Sequence, residues 1–517
     1  MPKESSRSVN TIRNSSFGII EYCFTLVSAF VVRTVFIRYM AEEYLGFNGL
    51  FTNIVSMFSL AELGIGNALG FMLYRSLASH DVNKTRQIMA YYRKIYSVIA
   101  AVIFAIGIAL MPFLTSLIED VSHIPENIYL LYFLYVADSS VSYIMAYKQA
   151  LISRDQKEYI ISIAITTYTI VTSLSQIIII ILWQNYILYL VAQFAFHTIK
   201  NFVLAKVADR MYPFLKQNHE VIDKNDRIQI IKDTKALLLY RISGQVTSST
   251  DNLIISKFLG ITMVGLYSNY YMITHACYSL IKKGVSGISA SAGNLFSVGE
   301  ISAIEDLFSA ATFFSYWAYG YFSSIFVAVL DLFIRLWAGD NYILDRPIVI
   351  IVIINFFLMG ITETYGIFRN AFGLFIQGRF RPVAGSITNL IVSLIFVRIW
   401  GLFGVFFGTF VSFAAFSYWF DPYVIYKYAI RKSSKKFWIK SSNYLLASLF
   451  ACFLSYFVSC LFPNTIHELV LFLIRGFTVT ALYNWVIYLF YHNTKEYKYI
   501  YNKLIRNVFN LVTGIFK

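Results

Sequence analysis

Long apolar runs separated by short polar breaks dominate the chain. The run that begins at Ile160, IISIAITTYTIVTSLSQIIIIILW, exceeds the roughly 20 residues that a helix needs to cross a hydrocarbon core, and the run from Ile348 approaches that length. Windows of this kind, bounded by charged residues, glycine or proline, predict fourteen transmembrane helices. The predicted spans are 15–38, 46–74, 95–118, 127–151, 160–183, 186–206, 237–258, 263–290, 308–334, 348–375, 383–400, 401–426, 443–462 and 468–491.

Composition supports an all-α integral membrane protein. Of 517 residues, 58% are hydrophobic and only 14% are charged, which is too little charge to cover a water-soluble protein of this size. The polar N-terminus lacks a small-residue cleavage site before the first span, so we expect that span to stay as an anchor. The four cysteines fall inside apolar runs without the spacing of a metal site or a disulfide framework.

Lys and Arg residues are distributed unevenly between the loops on the two sides of the membrane. If the N-terminus is cytoplasmic, the inner segments hold 32 Lys and Arg residues and the outer segments hold five. This asymmetry follows the positive-inside rule and predicts that both termini are cytoplasmic. The net charge of +15 therefore indicates topology and gives no reason to expect a nucleic-acid partner.

A short motif indicates that the chain contains two related halves. LGFNGLFTN at Leu45–Asn53 recurs, with two residues inserted, as LGITMVGLYSN at Leu259–Asn269. Each copy lies between the first and second helix of its half, as expected for parallel repeats. The predicted domains are a six-helix bundle at 1–207, a cytoplasmic linker at 208–236, a second six-helix bundle at 237–427, two extra helices at 428–494 and an amphipathic cytoplasmic tail at 495–517.

Ionisable residues at membrane depth are the candidates for function, because each costs about 2.5–3.5 kcal/mol at a helix centre if it faces lipid. The seventh span is the least apolar, and Arg241, Gln245 and Asn252 lie on one of its faces. Guanidinium groups bind phosphate in a bidentate manner, so Arg33 and Arg241 could hold a diphosphate. The predicted substrate-binding residues are Arg33, Arg241, Gln245, Asn252 and Lys200, and the predicted proton- or ion-coupling residues are Glu62, Asp138, Asp251 and Glu363.

Structural roles are the alternative for these charges. The cations could simply neutralise carboxylates at membrane depth. Lys148 and Arg369 lie near predicted cytoplasmic ends and are expected to extend toward water. Asp331 and Arg335, four residues apart, are expected to pair within their helix. His197 and His275 are expected to be packing histidines.

No catalytic or nucleotide-binding motif occurs in the sequence. Walker, HExxH and GxSxG motifs are absent, and no soluble region is large enough for a nucleotide site. We therefore expect a transporter that needs no cofactor, with coupling to protons or sodium left open. A membrane-bound glycan polymerase or ligase is the less favoured alternative, because no predicted outer loop exceeds roughly fifteen residues.

Two segments resemble a known family. EYLGFNGLFTNIVSMFSLAELGIGNALGFMLYRSLASHD, followed by MAYYRKIY, resembles the second helix and following loop of Wzx-type polysaccharide flippases, of the multidrug/oligosaccharidyl-lipid/polysaccharide (MOP) exporter superfamily. RISGQVTSSTDNLIISKFLGITMVGLYSNYYMI resembles the start of that family's second half.

The resemblance implies a MATE/MurJ-like fold and a function. It implies two bundles that alternate between inward-open and outward-open states and flip an undecaprenyl-diphosphate-linked oligosaccharide to the outer face of the bacterial plasma membrane. It also implies that Arg33 lines the lumen and that the last two helices form a groove for the lipid tail, near Arg475. The expected partners are the lipid-linked glycan, membrane lipids and a glycan polymerase. A lipid II flippase and a cation or drug antiporter of the same fold remain alternatives.

Overall fold

The structure is a computed structural model in which all regular structure of the described residues is helical. It describes residues 7–58, 62–118, 125–216, 222–286, 292–293, 295–296, 301–374, 377–378, 380–463 and 465–502. Within these ranges, eleven helices are long and apolar enough to cross a membrane. The prediction of an all-α integral membrane protein is confirmed.

The chain divides into two compact units, residues 1–265 and 266–517. Among the residues that the structure describes, the first unit contains nine α-helices and the first residues of a tenth, α10, which continues into the second unit. They are α1 Arg7–Tyr39, α2 Glu42–Phe58, α3 Glu62–Ala78, α4 Val82–Leu110, α5 Leu114–Leu117, α6 Ile128–Arg154, α7 Glu158–Trp183, α8 Tyr186–Met211, α9 Lys224–Leu259 and α10 Ile261–Ser286. Its core includes Leu69, Tyr92, Tyr96 and Leu151.

The second unit continues with helices that enclose an aromatic core. They are α11 Ile301–Ala338, α12 Arg346–Ala371, α13 Arg381–Trp400, α14 Leu402–Ser412, α15 Tyr418–Ile425, α16 Lys435–Cys460, α17 Glu468–Tyr491 and α18 Lys495–Ile500. π-Helical turns at Phe413–Ser417 and Tyr426–Ile430 join α14 to α15 and end α15. Phe308 stacks on Phe437 at 5.3 Å near the middle of the core.

Every predicted span coincides with helix over its described residues, apart from one to three residues at one end of five spans. The 46–74 span corresponds to α2 and α3, and α9 is longer than predicted, because residues 224–236 form its first turns. The sequence places these residues in the cytoplasmic linker. In the structure α9 packs against α2 and α3 and belongs to the first compact unit. The predicted domain boundaries stay a prediction, because compact units reflect packing and not sequence repeats.

The two copies of the repeated motif pack against each other. An added Cβ at Gly46 would lie 2.9 Å from the carbonyl carbon of Ile261 and closer still to its oxygen. An added Cβ at Gly265 would lie 2.6 Å from the carbonyl oxygen of Glu42. Because neither glycine has a Cβ, the start of α10 approaches the α2 backbone closely. Farther along α2, the hydroxyl of Ser56 lies 3.3 Å from the hydroxyl of Ser249 in α9.

Candidate functional site

Three helices of the first unit place polar side chains at mid-membrane depth. Asp138 of α6, Tyr168 of α7, and His197 and Lys200 of α8 each lie at least ten residues from either end of their helix. Such residues are expensive in lipid and are retained where they pair or serve a function. We call these four residues the α6–α8 polar cluster.

Asp138 and His197 form a direct contact within this cluster. Asp138 Oδ1 lies 2.7 Å from His197 Nδ1, and both side chains are about one-fifth exposed. The His197 ring packs on Tyr168 at a centroid distance of 5.6 Å. A carboxylate 59 residues away in the sequence therefore faces His197, which agrees with a histidine satisfied by helix packing, and a role in proton transfer stays a prediction. His275 stacks on Tyr271 at 5.0 Å and has the predicted packing role.

Lys200 is held by an aromatic ring. Its Nζ lies 4.9 Å from the centroid of Tyr168, within the range of a cation–π interaction. Asp138 and Glu21 act on it electrostatically, but no carboxylate of the described residues lies within ion-pair distance of its ammonium group. The amino group of Lys200 therefore has hydrogen-bond donors that no carboxylate of the described residues occupies.

Arg33 lies farther along α1, beside buried tyrosines. Its charge acts on the hydroxyls of Tyr186 and Tyr189. Tyr186 also shares a hydrogen bond of 2.9 Å with Tyr135, which donates to Asn48 at 2.8 Å. Arg33 is half-buried, so its position in the first unit is compatible with the predicted lumen, and its role in binding stays a prediction.

The polar face predicted for the seventh span is described only in part. Asn252 is half-buried and lies against α2, since an added Cβ at Gly49 would be 3.6 Å from its Nδ2. Asp251 is half-buried on the same helix. The side chains of Arg241, Gln245 and Glu62 lie outside the described part of the structure, so the predictions for them stay open.

The remaining predicted residues lie in the second unit. Glu363 of α12 forms an ion pair with Lys282 of α10 at 2.7 Å, and the two side chains are about one-third or more exposed. Arg475 is half-buried on α17. The structure brings Asp138 and Lys200 together, whereas Glu363 and Arg475 belong to different surroundings within the second unit.

A buried charge cluster in the second unit was not predicted from the sequence. Arg369 Nη1 donates to Asp421 Oδ1 at 2.8 Å, and Arg381 Nε lies 3.4 Å from the same oxygen. The side chain of Arg369 is 1% exposed and that of Asp421 is 0% exposed. The expectation that Arg369 extends to water is wrong, because Asp421 from another helix neutralises it. A signal was available, since Asp421 interrupts an apolar span directly before Pro422.

Two further pairings differ from those expected. Asp331 accepts from Arg346 at 2.6 Å and Arg335 from the same helix lies 2.8 Å from Asp340, so the predicted pair within α11 is wrong. Lys148 donates to Asp209 at 2.7 Å and does not extend freely to water. In each case the charge is paired with a residue from another segment.

The two charge clusters have different chemical capacities. Arg369 and Arg381 both approach one carboxylate oxygen of Asp421 in a buried site, so removing Asp421 would leave an uncompensated charge. In the α6–α8 polar cluster, by contrast, His197 occupies Asp138, and Lys200 retains donors for an anionic ligand. A ligand could reach the first arrangement only by breaking a buried ion pair, whereas the amino group of Lys200 in the second can be approached without breaking one.

Comparisons with known proteins identify the fold. No family model and no curated protein matches the sequence. The lipid II flippase MurJ in an inward closed conformation is similar at a TM-score of 0.68 and 15% identity, over 93% of this chain and 99% of that chain. An inward-facing MATE multidrug-resistance transporter of the MOP superfamily is similar at 0.61 and 13% identity, over 82% and 99%.

A third solved structure extends the same similarity. A mutant of the Vibrio cholerae MATE transporter VcmN is similar at a TM-score of 0.56 and 13% identity, over 82% of this chain and 99% of that chain. The chain is therefore a multi-pass membrane protein. Its fold is the one shared by MurJ and MATE transporters.

Proposed function

We propose that the chain is a MOP-superfamily transporter that flips a lipid-linked oligosaccharide diphosphate across the bacterial plasma membrane by alternating access. In this proposal the termini are cytoplasmic, and an undecaprenyl-diphosphate-linked repeat unit moves from the cytoplasmic face to the outer face. A glycan polymerase that receives the unit is the expected partner. The observation that carries the proposal is the charge of Lys200.

Lys200 supports an anionic substrate. A lysine at the middle of a transmembrane helix is costly unless a partner or a ligand compensates for it. Its partner among the described residues is the Tyr168 ring, and the nearest acid is bound by His197. A diphosphate supplies the missing negative charge at Lys200. Arg33 lies about 18 Å farther along α1 than Glu21, so it could bind the anion in a bidentate manner only at another stage of its passage.

The extent of the structural similarity supports the flippase branch. The MurJ structure covers 93% of this chain and the MATE structures above cover 82%. The difference of about a tenth of the chain has the length of α16 and α17 together, from Lys435 to Tyr491. α16 and α17 are the two helices beyond the twelve of the proposed bundles, and they fit the proposed groove for a lipid tail near Arg475.

The experiment follows the glycan in cells. Without the protein, the lipid-linked glycan should be made but should remain on the cytoplasmic leaflet, inaccessible to a membrane-impermeant label applied to spheroplasts. Normal labelling in such cells would refute the flippase proposal. Lys200→Met should also trap the glycan, and Lys200→Arg should retain partial transport. Lys206→Met is the matched control, because Lys206 is an exposed cation of the same helix. Equal transport by both Met variants would remove Lys200 from the site.

A proton-coupled antiporter of cations or drugs is the second candidate. The Asp138–His197 pair favours it, because carboxylate and imidazole groups at membrane depth form proton relays. A lipid II flippase has the same fold and remains a third candidate. Export of a fluorescent cation by reconstituted protein, with no change in glycan exposure, would favour the antiporter. Complementation of a strain that depends on a lipid II flippase would favour the third function.

Coupling is tested separately from substrate identity. Asp138→Asn should give a folded protein whose transport no longer responds to the proton gradient. Transport that is insensitive to collapse of the gradient in the unsubstituted protein would remove the proton-coupling role proposed for Glu62, Asp138, Asp251 and Glu363.

A further inference from the structure

The corner between α15 and α16 carries an unusual excess of positive charge. Six Lys and Arg residues lie between 427 and 440, and no Asp or Glu occurs between 422 and 467. Two of the six pair with acids from other segments, Lys432 with Glu305 at 2.5 Å and Lys440 with Glu496 at 2.6 Å. The other four are exposed and have no carboxylate partner among the described residues: Lys427, Arg431, Lys435 and Lys436.

Local helix energetics explain only part of this charge. Lys427 and Arg431 lie at the C-terminal end of a helix, where the macrodipole favours cations. Lys435 and Lys436 begin α16, where the dipole is positive, the first turn has no acidic residue and Ser434 makes no side-chain cap. Two lysines at this end oppose the dipole. A negative partner from outside the chain would offset this repulsion.

The corner must lie at the surface of the membrane. The helical segments Leu402–Ile430 and Lys435–Cys460 are both long and apolar enough to cross it, and four residues connect them. Aromatic side chains that prefer the bilayer interface surround this connection. Trp419 packs on Trp438 at 4.5 Å while 54% of its surface stays exposed, and Tyr423 and Tyr428 are also exposed.

The corner is also fixed in shape. Phe437, one residue past the free lysines, is buried against Phe308 and Tyr426. Lys427 Nζ lies 5.4 Å from the ring centroids of both Tyr423 and Tyr428. The backbone that carries the free cations is thus anchored by Phe437 in the core of the second unit.

We propose that this corner binds the headgroup of an anionic phospholipid of the surrounding leaflet, through Arg431, Lys435 and Lys436. The headgroup phosphate would pair with the cations, while the acyl chains would lie in the bilayer beside the exposed face of Trp419. Juxtamembrane basic clusters gain affinity from anionic lipids in this way. The inference does not depend on the transported substrate.

Native mass spectrometry of the full-length protein in detergent tests the inference. Phosphatidylglycerol should remain bound, and phosphatidylcholine with the same acyl chains should not. The triple variant Arg431→Gln/Lys435→Gln/Lys436→Gln should bind phosphatidylglycerol about a hundredfold more weakly, at about fivefold for each cation. The double variant Lys435→Gln/Lys436→Gln should lose about 25-fold, and it provides the test if the triple variant does not elute as a monodisperse peak.

A matched control separates this site from general charge attraction. The variant Lys94→Gln/Arg210→Gln/Lys224→Gln removes three exposed cations of the first unit and should retain phosphatidylglycerol. Equal loss in this control, or equal binding of phosphatidylcholine, would overturn the proposal. Displacement of the lipid by inorganic pyrophosphate at the same concentration would also overturn it, because a soluble anion would then be the better ligand.

Discussion

Replacing Gly46 by alanine tests whether the contact between the two repeat copies is as tight as the structure indicates. The added Cβ would meet the carbonyl group of Ile261, with 2.9 Å to its carbon and a shorter distance to its oxygen. It would also lie 2.8 Å from Ile261 Cγ1. Ordinary C···O contacts are about 3.3–3.6 Å, so the start of α10 would have to move away from α2.

The magnitude follows from two opposing effects. Inserting a methyl group into a packed interface costs typically about 1–3 kcal/mol, and here the upper part applies because backbone atoms cannot change rotamer. Alanine in place of glycine returns about 1 kcal/mol through helix propensity. Gly46→Ala should therefore destabilise the protein by about 1–2 kcal/mol. Gly265→Ala should have a smaller effect, because its added Cβ would lie 2.6 Å from the Glu42 oxygen, a less severe overlap.

The assay is thermal unfolding in detergent, followed by the fraction of monodisperse protein that remains after heating. Gly18→Ala and Gly476→Ala are the controls, because both residues are in helices and an added Cβ there would meet no atom within 4 Å. These controls should match or exceed the unsubstituted protein in stability. If Gly46→Ala melts with the controls, the close contact between α2 and α10 is not a packing constraint and the reasoning fails.

Three further predictions concern single contacts of the second unit, each measured by the same unfolding assay. Asp421→Asn should destabilise the protein by about 3–5 kcal/mol, because Arg369 would remain buried without a counter-charge. The control Asp340→Asn, at a side chain that is 78% exposed, should change stability by less than about 1 kcal/mol. Similar losses in the two variants would refute a structural role for the buried pair. Trp317→Phe removes the 2.9 Å hydrogen bond to Asn484 of α17 and should cost about 0.6–1.7 kcal/mol. No loss would mean that this hydrogen bond does not help to hold α17 to α11. Glu363→Gln breaks a partly exposed ion pair with Lys282 and should cost less than about 1 kcal/mol of stability. A complete loss of transport with stability intact would then indicate that Glu363 couples transport to an ion gradient. Unchanged transport would remove Glu363 from the coupling residues.

The helices could be predicted from the sequence because hydrocarbon thickness fixes the length of an apolar run. The span predicted at 468–491 matches α17 at both ends, and the one at 186–206 differs from α8 only at its C-terminal end. The two copies of the repeated motif meet at Gly46 and Gly265, and the two related halves inferred from the motif stay a prediction. What the motif could not indicate is that the copies contact each other directly.

Charge pairing could not be predicted, because it depends on the rotation of each helix about its axis. A helix that is apolar on all sides has no polar face to define that rotation. Asp331 and Arg335 have the correct spacing for a pair within their helix. Instead, Asp331 pairs with Arg346 and Arg335 pairs with Asp340. Asp138 and His197 are 59 residues apart, and Arg369 and Asp421 are 52 apart, so each pair depends on how distant helices pack.

The comparison of Lys200 with Arg369 explains why membrane depth alone is a weak guide to function. Both are cations in transmembrane helices, and residue chemistry alone favours arginine as the ligand because guanidinium binds phosphate well. Arg369, however, is 1% exposed and its charge is neutralised by Asp421, so a ligand could bind it only by breaking a buried pair at a cost of about 3–5 kcal/mol. Lys200 is half-buried, is held by a ring and has its nearest acid occupied by His197, so a ligand can approach it without breaking an ion pair. A cation at membrane depth is therefore a candidate for binding according to how fully the protein already compensates its charge.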